Sequence, residues 1–340
     1  MNIYRLLKQY AHVPEECKLL VLFVLHVLRR RYIGVYIDPV LGCNYHCQMC
    51  YYSIDDVRRT RHGRMTEQQI NNLGRSLFSR VLKLQIGCGA EPSINMAGSM
   101  QLVRLGTKYG VPYISMTSNG VLLTYEKLQE LVEAGLDELT ISLHGVRKET
   151  YERLMGNNKY GDFLLLLQAI KRIKTHYPKF TIRINYTMNA DNVDELSEFD
   201  TIFSDIPVDV LQLRPIRNLG NSQYQNFDLT HVSECLDIVI RPLAERCKKK
   251  GVVVLFPEHI NIERFEKRKT TPYKEQVVSN FVYYNITAQS YATQNIHFDT
   301  EDYDGYCHRV HLGRQILKAV FSTKESQPTA LSNPLNYDIQ

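Results

Sequence analysis

The chain has 340 residues, of which 44% are hydrophobic and 23% are charged, and its formal net charge is +5. This composition is ordinary for a globular protein that buries a full core, and eight cysteines are too few for a disulfide framework. The cysteines therefore predict a reducing compartment, the cytoplasm. Basic residues are scattered apart from runs at 29–31, 58–64, 248–250 and 264–269, which are typical of solvated surface, so no nucleic-acid partner is expected.

Residues 1–31 are predicted to form an N-terminal helical extension around an apolar run at 19–28. This ten-residue run, which includes His26, is too short to cross a bilayer, which takes about 20 residues, so no transmembrane span is expected. The run also lacks the small-residue cleavage site of a secretory signal. Two interpretations are open. The preferred one is a helix packed on the main domain, and the other is a helix on a membrane surface with its arginines near anionic lipid.

From residue 32 onwards, β-branched and aromatic stretches alternate with helical patterns. Thr66 and Thr124 are typical helix N-caps, and Gly135 is a typical stop. Breaks are expected at Gly156 and Gly161. Strands are predicted at 32–38, 82–87, 111–116, 136–143, 180–188, 208–213 and 252–256, and helices at 66–80, 97–109, 124–134, 148–155, 163–176, 192–203 and 230–250.

This alternation predicts an α/β fold with parallel strands and right-handed connections. Six strand–helix units are too few for an eightfold barrel, so a partial, open (β/α)6 barrel of the TIM type is expected, with an open doubly wound sheet as the competitor. The expected organisation is a core at 32–256, a C-terminal capping segment at 257–321 with weak strand signals at 276–286, and a flexible tail at 322–340. In either fold, ligands bind at the carboxyl ends of the strands.

Three cysteines, Cys43, Cys47 and Cys50, follow the first strand with the spacing C-x3-C-x2-C. Three thiolates in eight residues suit a soft metal or an iron–sulfur cluster, and they leave one position open for chemistry. Structural zinc, with His46 as a possible fourth ligand, is one alternative. A redox pair formed by Cys47 and Cys50, or inert buried cysteines, are the others.

Further motifs follow the next strands: Cys88-Gly89-Ala90-Glu91-Pro92 after the second, Thr117-Ser118-Asn119-Gly120 after the third, and a Leu-Thr-Ile-Ser-Leu-His-Gly stretch at 139–145 in the fourth. With the cysteine loop, and in this order, they resemble the radical S-adenosylmethionine (radical SAM) superfamily over residues 32–250. The resemblance is nearest to the branch of peptide maturases, sulfatase-activating enzymes and molybdenum-cofactor synthesis enzymes. Cys307 resembles the start of an auxiliary-cluster extension, but no cysteine follows it, so no second cluster is expected.

The resemblance implies that Cys43, Cys47 and Cys50 ligate one 4Fe–4S cluster, whose fourth iron binds S-adenosylmethionine. Reductive cleavage would then give a 5′-deoxyadenosyl radical that abstracts hydrogen from a substrate. A peptide or protein substrate is the first expectation and a small metabolite the second. The electron donor would be flavodoxin- or ferredoxin-like. The competing hypothesis is a non-catalytic barrel that holds a cluster or zinc.

The resemblance also suggests contacts for S-adenosylmethionine. Gly89 and Ala90 would let the backbone approach the methionine moiety, although the family usually has glycine at the position of Ala90. Glu91 would accept from the ammonium group. The remaining predicted contacts are Met49 near adenine, Ser142 and His144 at the ribose, Asn119 in the turn after the third strand, and Arg214 at a carboxylate, with Asn189 as a weaker candidate. Cys88, beside a strand end, is interpreted as inert.

Overall fold

Eight parallel strands form the main sheet, in a computed structural model that describes residues 13–217, 222–260, 271–322 and 325–326. The strands are β1 Ile33–Asp38, β2 Val81–Ile86, β3 Ile114–Ser118, β4 Glu138–Leu143, β5 Thr181–Met188, β6 Val210–Pro215, β7 Val253–Leu255 and β8 Tyr283–Thr287. Their order across the sheet is β8-β1-β2-β3-β4-β5-β6-β7. Because β1 to β7 follow one another without reversal, the sheet is the predicted partial barrel and not a doubly wound sheet.

Helices connect the strands and cover one face of the sheet. They are α1 Glu15–Val27, α2 Asp55–Thr60, α3 Glu67–Leu77, α4 Met96–Lys108, α5 Tyr125–Ala134, α6 Lys148–Met155, α7 Tyr160–His176, α8 Phe199–Ile202, α9 Thr230–Cys235, α10 Arg241–Lys249, α11 Tyr273–Phe281, α12 Tyr303–Arg309 and α13 Leu312–Val320. Short 3-10 turns add Tyr51–Ser53, Pro92–Asn95, Asp194–Glu198 and Tyr291–Thr293. Two short antiparallel ladders join Val40–Leu41 to Gly63–Arg64 and Thr271–Pro272 to Glu325–Ser326.

Capping residues place several helix ends where the sequence predicts them. Thr66 accepts from the backbone of Gln69, and the Gln69 side chain accepts from the backbone of Thr66, which closes a capping box at α3. Thr124 caps α5, and Gly135 ends it with a φ of 111°. These local signals are strong because each satisfies backbone groups that the helix itself leaves unpaired.

Other predicted elements are wrong in detail. Gly161 does not break a helix, since α7 begins at Tyr160 and only Gly156, with a φ of 62°, separates it from α6. The predicted helix at 192–203 is a 3-10 turn followed by the four-residue α8. The predicted helix at 230–250 contains a π-helical turn, Leu236–Ile240.

The C-terminal segment adds a strand to the sheet as well as helices. The strand signal predicted at 276–286 is wrong in its first half, because α11 runs to Phe281 before β8 begins. Strand β8 pairs with β1 in parallel, with Ile286 opposite Ile37. The domain boundaries at 31, 256 and 321 stay predictions. Most of the predicted tail, the first twelve residues and the basic run at 264–269 lie outside the described residues.

The two faces of the sheet differ in chemistry. One face is apolar and packs under the helices; for example, Gly106 of α4 approaches Leu84 and Ile114 so closely that a Cβ would lie 2.7 Å from an Ile114 carbon. The other face carries polar rows that run across β4, β5 and β6. One of these rows is Ser142, Asn185 and Gln212, which are register partners. Side chains of one face alternate with those of the other along each strand, so this polar face is a continuous surface.

Helix α1 packs against α13, as the preferred interpretation of the N-terminal run predicts. Leu19 is buried, and Gly313 of α13 lies next to Phe23 and His26. Among the described residues, no helix is both long enough and apolar enough to cross a membrane.

Candidate functional site

The cysteine loop follows β1 at the carboxyl edge of the sheet. Cys43, Cys47 and Cys50 are half-buried, and none forms a disulfide. The backbone N–H of Tyr45 donates to the Cys43 Sγ at 3.4 Å, and that of Tyr52 donates to the Cys50 Sγ at the same distance. Hydrogen bonds from amides to sulfur stabilise thiolates and tune the potential of a cluster that the thiolates hold.

Arg58 of α2 holds the cysteine loop together from one side. Its guanidinium donates to the carbonyl oxygens of Cys43 at 2.8 Å, Tyr45 at 2.9 Å and Tyr52 at 3.0 Å. The planar guanidinium can bridge several carbonyls at once, which an ammonium group cannot do as rigidly. The sequence does not predict this role, since the basic run at 58–64 is typical of solvated surface.

The other side of the loop rests on α6 and on the segment after β6. The Gln48 N–H donates to the Leu154 carbonyl at 2.9 Å, and the Tyr224 N–H donates to the Gln48 carbonyl at 2.9 Å. At Gly156 a Cβ would lie 2.2 Å from the His46 carbonyl oxygen, so only glycine fits this approach. His46 itself is exposed.

Burial raises the pKa values of all three thiols, and that of Cys43 rises to about 12. Low-pKa, solvent-exposed thiols are the mark of a redox-active pair, so these cysteines lack that signature. In such a buried loop a thiolate needs a positively charged partner, such as a metal centre.

The spacing of the thiols also bears on the kind of metal. A single zinc ion, with Zn–S distances of about 2.3 Å, draws its ligand atoms to within about 4 Å of one another. Within the part of the chain that the structure describes, only Asp194, His231 and Cys235 bring three such atoms within 4.8 Å of one another. The loop thiols are therefore spread more widely than one ion requires. Such a spread suits thiolates that bind separate irons of a cluster.

Asp38, at the end of β1, organises the turn that contains Gly89. Its buried carboxylate accepts from the Cys88 N–H at 2.9 Å and from the Gly89 N–H at 3.1 Å. Burial raises the pKa of Asp38 to about 6. The Tyr51 hydroxyl donates to the Gly89 carbonyl, and a Cβ at Gly89 would lie 2.7 Å from that hydroxyl. This turn therefore requires glycine, and it holds its backbone beside the cysteine loop.

The sequence predicts that Glu91 accepts from the ammonium group of S-adenosylmethionine. In the structure its hydrogen bonds come from other residues of the protein. Its buried carboxylate accepts from the Ser118 hydroxyl at 2.7 Å, from the Asn119 N–H at 2.8 Å, and from the hydroxyl and N–H of Ser93. These donors tie the loop after β2 to the loop after β3. The geometry supports a positioning role for Glu91, and its contact with a ligand stays a prediction.

Two further contacts join the predicted site residues to the cysteine loop. The Asn119 side-chain amide donates to the Asn44 Oδ1 at 2.9 Å. The Asn189 side-chain nitrogen lies 2.9 Å from the Met49 sulfur. The loops after β1, β3 and β5 therefore converge on one region, as expected for the carboxyl edge of a parallel sheet.

Two buried polar atoms below this region have no hydrogen-bond partner, the Nδ1 of His144 and the Oδ1 of Asn185. His144 follows β4 two residues after Ser142, and Ser142 is the register partner of Asn185 on β5. Burial lowers the pKa of His144 to about 4, so this imidazole is neutral near pH 7. Arg214 is the register partner of Thr187 at the end of β6. Unpartnered buried polar atoms are rare in proteins, and among the described residues only the Tyr224 and Tyr284 hydroxyls share this property. Two such atoms at neighbouring strands therefore mark a place where a ligand or water can bind.

The sequence analysis missed Asp38, Arg58 and Asn185. An acidic residue that ends an apolar strand is a signal that could have pointed to Asp38, whereas Arg58 and Asn185 carry no local signal. The two remaining cysteines of interest lie apart from the loop contacts. Cys88 is half-buried in the Gly89 turn, and Cys307 is buried in α12, where burial raises its pKa to about 12.

Residues 37–210, just over half of the chain, match the family model described as the Radical SAM superfamily. The chain belongs to this superfamily. Members of this superfamily are enzymes that use a 4Fe–4S cluster with S-adenosylmethionine and need a reductant, which agrees with the expectation from the sequence.

Known proteins similar to the chain include a probable cyclase of GTP and a protein solved with a precursor peptide. A probable GTP 3',8-cyclase of Sulfurisphaera tokodaii is 23% identical over 205 residues, which are 60% of this chain and 62% of that protein. The match thus spans less than two thirds of this relative. Streptococcus suis SuiB bound to S-adenosylmethionine has a TM-score of 0.57 at 13% identity, over 84% of this chain and 69% of SuiB. SuiB bound to its precursor peptide SuiA has a TM-score of 0.55 at 13% identity, over 80% and 61%.

The residues at the carboxyl edge fit the superfamily's cofactors. Three thiols spread over one loop match the ligands of a cluster with one free iron. The N–H and the carbonyl of Gly89 are already bound by Asp38 and Tyr51, so the glycine turn forms a fixed wall beside the loop. The unpartnered atoms of His144 and Asn185 are the polar groups that a ligand could bind.

Proposed function

We propose that this enzyme binds its single cluster through Cys43, Cys47 and Cys50 and binds S-adenosylmethionine over the polar face at the ends of β2 to β6. The observation that carries the proposal is the pair of unpartnered buried atoms, His144 Nδ1 and Asn185 Oδ1, on the face that the cysteine loop borders. When bound, the cluster and S-adenosylmethionine supply the electron transfer and the radical chemistry.

In this proposal the protein holds the cluster and S-adenosylmethionine in position and excludes water from them. Arg58 fixes the loop backbone so that the three thiols keep their spacing, and Asp38 fixes the backbone of Cys88 and Gly89. Met49 packs beside Leu154, where a soft side chain can contact an adenine ring.

The neutral imidazole of His144 suits this cofactor. S-adenosylmethionine carries a sulfonium cation, and a protonated histidine nearby would repel it. Because the pKa of His144 is about 4, the ring stays uncharged near pH 7 and can exchange one hydrogen bond with a ribose hydroxyl. Ser142, on the same face, and Arg214, two strands away, complete the proposed set of contacts with Asn119 and Glu91.

The substrate that we propose is a peptide or protein. Support comes from the likeness of residues 139–156 to peptide-modifying enzymes and from the fold shared with SuiB, which was solved with its precursor peptide. The identity to probable GTP 3',8-cyclases favours a second candidate, a nucleotide substrate. The electron donor would be flavodoxin- or ferredoxin-like, and eight cysteines that form no disulfide suit the reducing cytoplasm.

Release of 5′-deoxyadenosine by anaerobically reconstituted, reduced protein tests the proposal. We expect product from the wild type and from the matched control Cys17→Ala, whose thiol is exposed on α1, and none from Cys50→Ala. Normal product from Cys50→Ala would refute the proposal. If added GTP is consumed in proportion to the 5′-deoxyadenosine released, the substrate is a nucleotide and not a peptide.

A further inference from the structure

Helix α1 presents an unusual amount of apolar surface to solvent. Its exposed large side chains have relative exposures of 43% to 60%, and they are Leu20, Val21, Val24, Val27 and Leu28. At 3.6 residues per turn these positions fall in one sector about 120° wide. The opposite side of the helix, with Leu19 and Phe23, is already packed on the protein. Helix α1 is therefore apolar on both sides, which is typical of a helix that is covered all round.

Helix α13, which packs against α1 through Gly313, also exposes a mixed face. Arg314, Leu317, Lys318 and Phe321 are exposed at positions i, i+3, i+4 and i+7, so they share one side of the helix. Phe321, just after the last turn, is 82% exposed. Arg29 and Arg30 are exposed directly after the apolar sector of α1. We call these residues of α1, α13 and the 29–30 turn the α1–α13 patch.

We propose that the α1–α13 patch docks the enzyme on the surface of an anionic lipid bilayer, with α1 lying in the plane of the membrane. Apolar side chains would enter the boundary between headgroups and acyl chains, while the four basic residues contact lipid phosphates. This proposal does not depend on the proposed function.

The charges of the patch favour lipid over a second copy of the chain. The patch carries four basic residues and no acidic one, so two copies placed face to face would have like net charge, which is unfavourable. The acidic residues of α1, Glu15 and Glu16, lie in its first turn, at the opposite end from the arginines, and Glu16 is paired with Lys274. An anionic bilayer satisfies both the apolar sector and the positive charge at once.

Vesicle flotation of the full-length, reconstituted protein tests the proposal. One set of vesicles contains phosphatidylcholine alone, and the other also contains phosphatidylglycerol. We expect flotation with the second set, weakened by salt because surface charges are screened. Arg30→Gln combined with Arg314→Gln should weaken partitioning by about fivefold for each charge removed. Val24→Glu combined with Val27→Glu should abolish flotation.

The matched control is Leu165→Glu, which places the same charge at a side chain of α7 that is 68% exposed. It should float like the wild type. All variants should release 5′-deoxyadenosine at the wild-type rate, which shows that they fold. Absence of flotation in the wild type, or equal losses for Leu165→Glu, would overturn the proposal. So would a dimer in gel filtration that Val24→Glu with Val27→Glu converts to a monomer.

Discussion

The two ends of the polar face differ in whether their buried polar atoms have hydrogen-bond partners within the protein. At the amino ends of the strands, Arg183 on β5 donates twice to the Glu138 carboxylate on β4, at 3.0 Å each, and donates once to Gln212 on β6. Tyr113 and Thr140 donate to the same carboxylate. This buried network is closed, with each charge matched by a partner.

Further along the same strands, from Asn185 towards their carboxyl ends, some polar atoms have no partner. Asn185 is the register partner of Gln212, so the two parts of the face adjoin. His144 Nδ1 and Asn185 Oδ1 are buried and have no partner within the protein. An unpaired buried polar atom lowers the free energy of unfolding by about 1–3 kcal/mol, so it is expected only where another interaction offsets this loss. Polar residues inside the barrel therefore do not by themselves mark a ligand site. The candidate site lies where their hydrogen bonds are not made within the protein.

The largest effect is expected where the closed network is broken. Arg183→Met leaves Glu138 buried without its cation and should lower the free energy of unfolding by about 3–5 kcal/mol, measured by urea denaturation. Arg183→Met combined with Glu138→Gln should recover most of this loss, because no unpaired charge remains. A loss below about 1 kcal/mol for the single variant would show that the network is not closed as described.

The second effect concerns the pH dependence that Asp38, at the carboxyl end of β1, gives to stability. Its pKa in the folded protein, about 6, is above the ordinary 3.8, so the folded state binds the proton more tightly. The stability that protonated Asp38 contributes is therefore lost as the pH rises from about 4 through 6, by up to about 3 kcal/mol. Asp38→Asn should remove this slope when unfolding is followed from about pH 4 to pH 7. Parallel pH profiles for the wild type and the variant would contradict the account.

The third effect sharpens the role of the cysteine loop. Arg58→Ala leaves three loop carbonyls without their donor and should speed the loss of iron to a chelator by about tenfold, the equivalent of about 1.4 kcal/mol. The matched control is Arg59→Ala, since Arg59 is exposed on the same helix and pairs with Asp56. Equal rates of iron loss for the two variants would mean that Arg58 does not hold the loop.

The smallest effect is expected at the open end, and it should be selective. Asn185→Ala removes an unpartnered atom, so the free energy of unfolding should change by less than about 1 kcal/mol. The dissociation constant for S-adenosylmethionine, measured by titration calorimetry on the reconstituted protein, should rise by about three- to tenfold. A stability loss like that of Arg183→Met, with unchanged affinity, would place Asn185 in the closed network instead.

Local signals predicted much of the fold. Thr66, Thr124 and Gly135 mark helix ends because each satisfies or relieves a neighbouring backbone group. The parallel pairing of β1 to β6 follows from the alternation of strands and helices. Their order across the sheet does not, because right-handed crossovers also build a doubly wound sheet. Strand β8 could not be found in the same way. Its pairing with β1 depends on a residue partner far along the chain, and Val277, Val278 and Phe281 look like strand residues although they lie in α11.

The candidate site likewise contains residues that the sequence predicts and residues that it does not. The thiols and the glycine turn are predictable because their chemistry is written in adjacent residues. The positions of Arg58 and Asn185 are not, since their importance lies in which atoms they meet, or fail to meet, across the fold.

The most direct test of the central claim is iron analysis with spectroscopy of the anaerobically reconstituted protein, before and after S-adenosylmethionine is added. The account predicts about four irons per chain, a cluster signal that S-adenosylmethionine perturbs, and loss of both in each of Cys43→Ala, Cys47→Ala and Cys50→Ala. A protein that takes up one zinc and no iron, or whose cluster survives the loss of any one of these thiols, would contradict it.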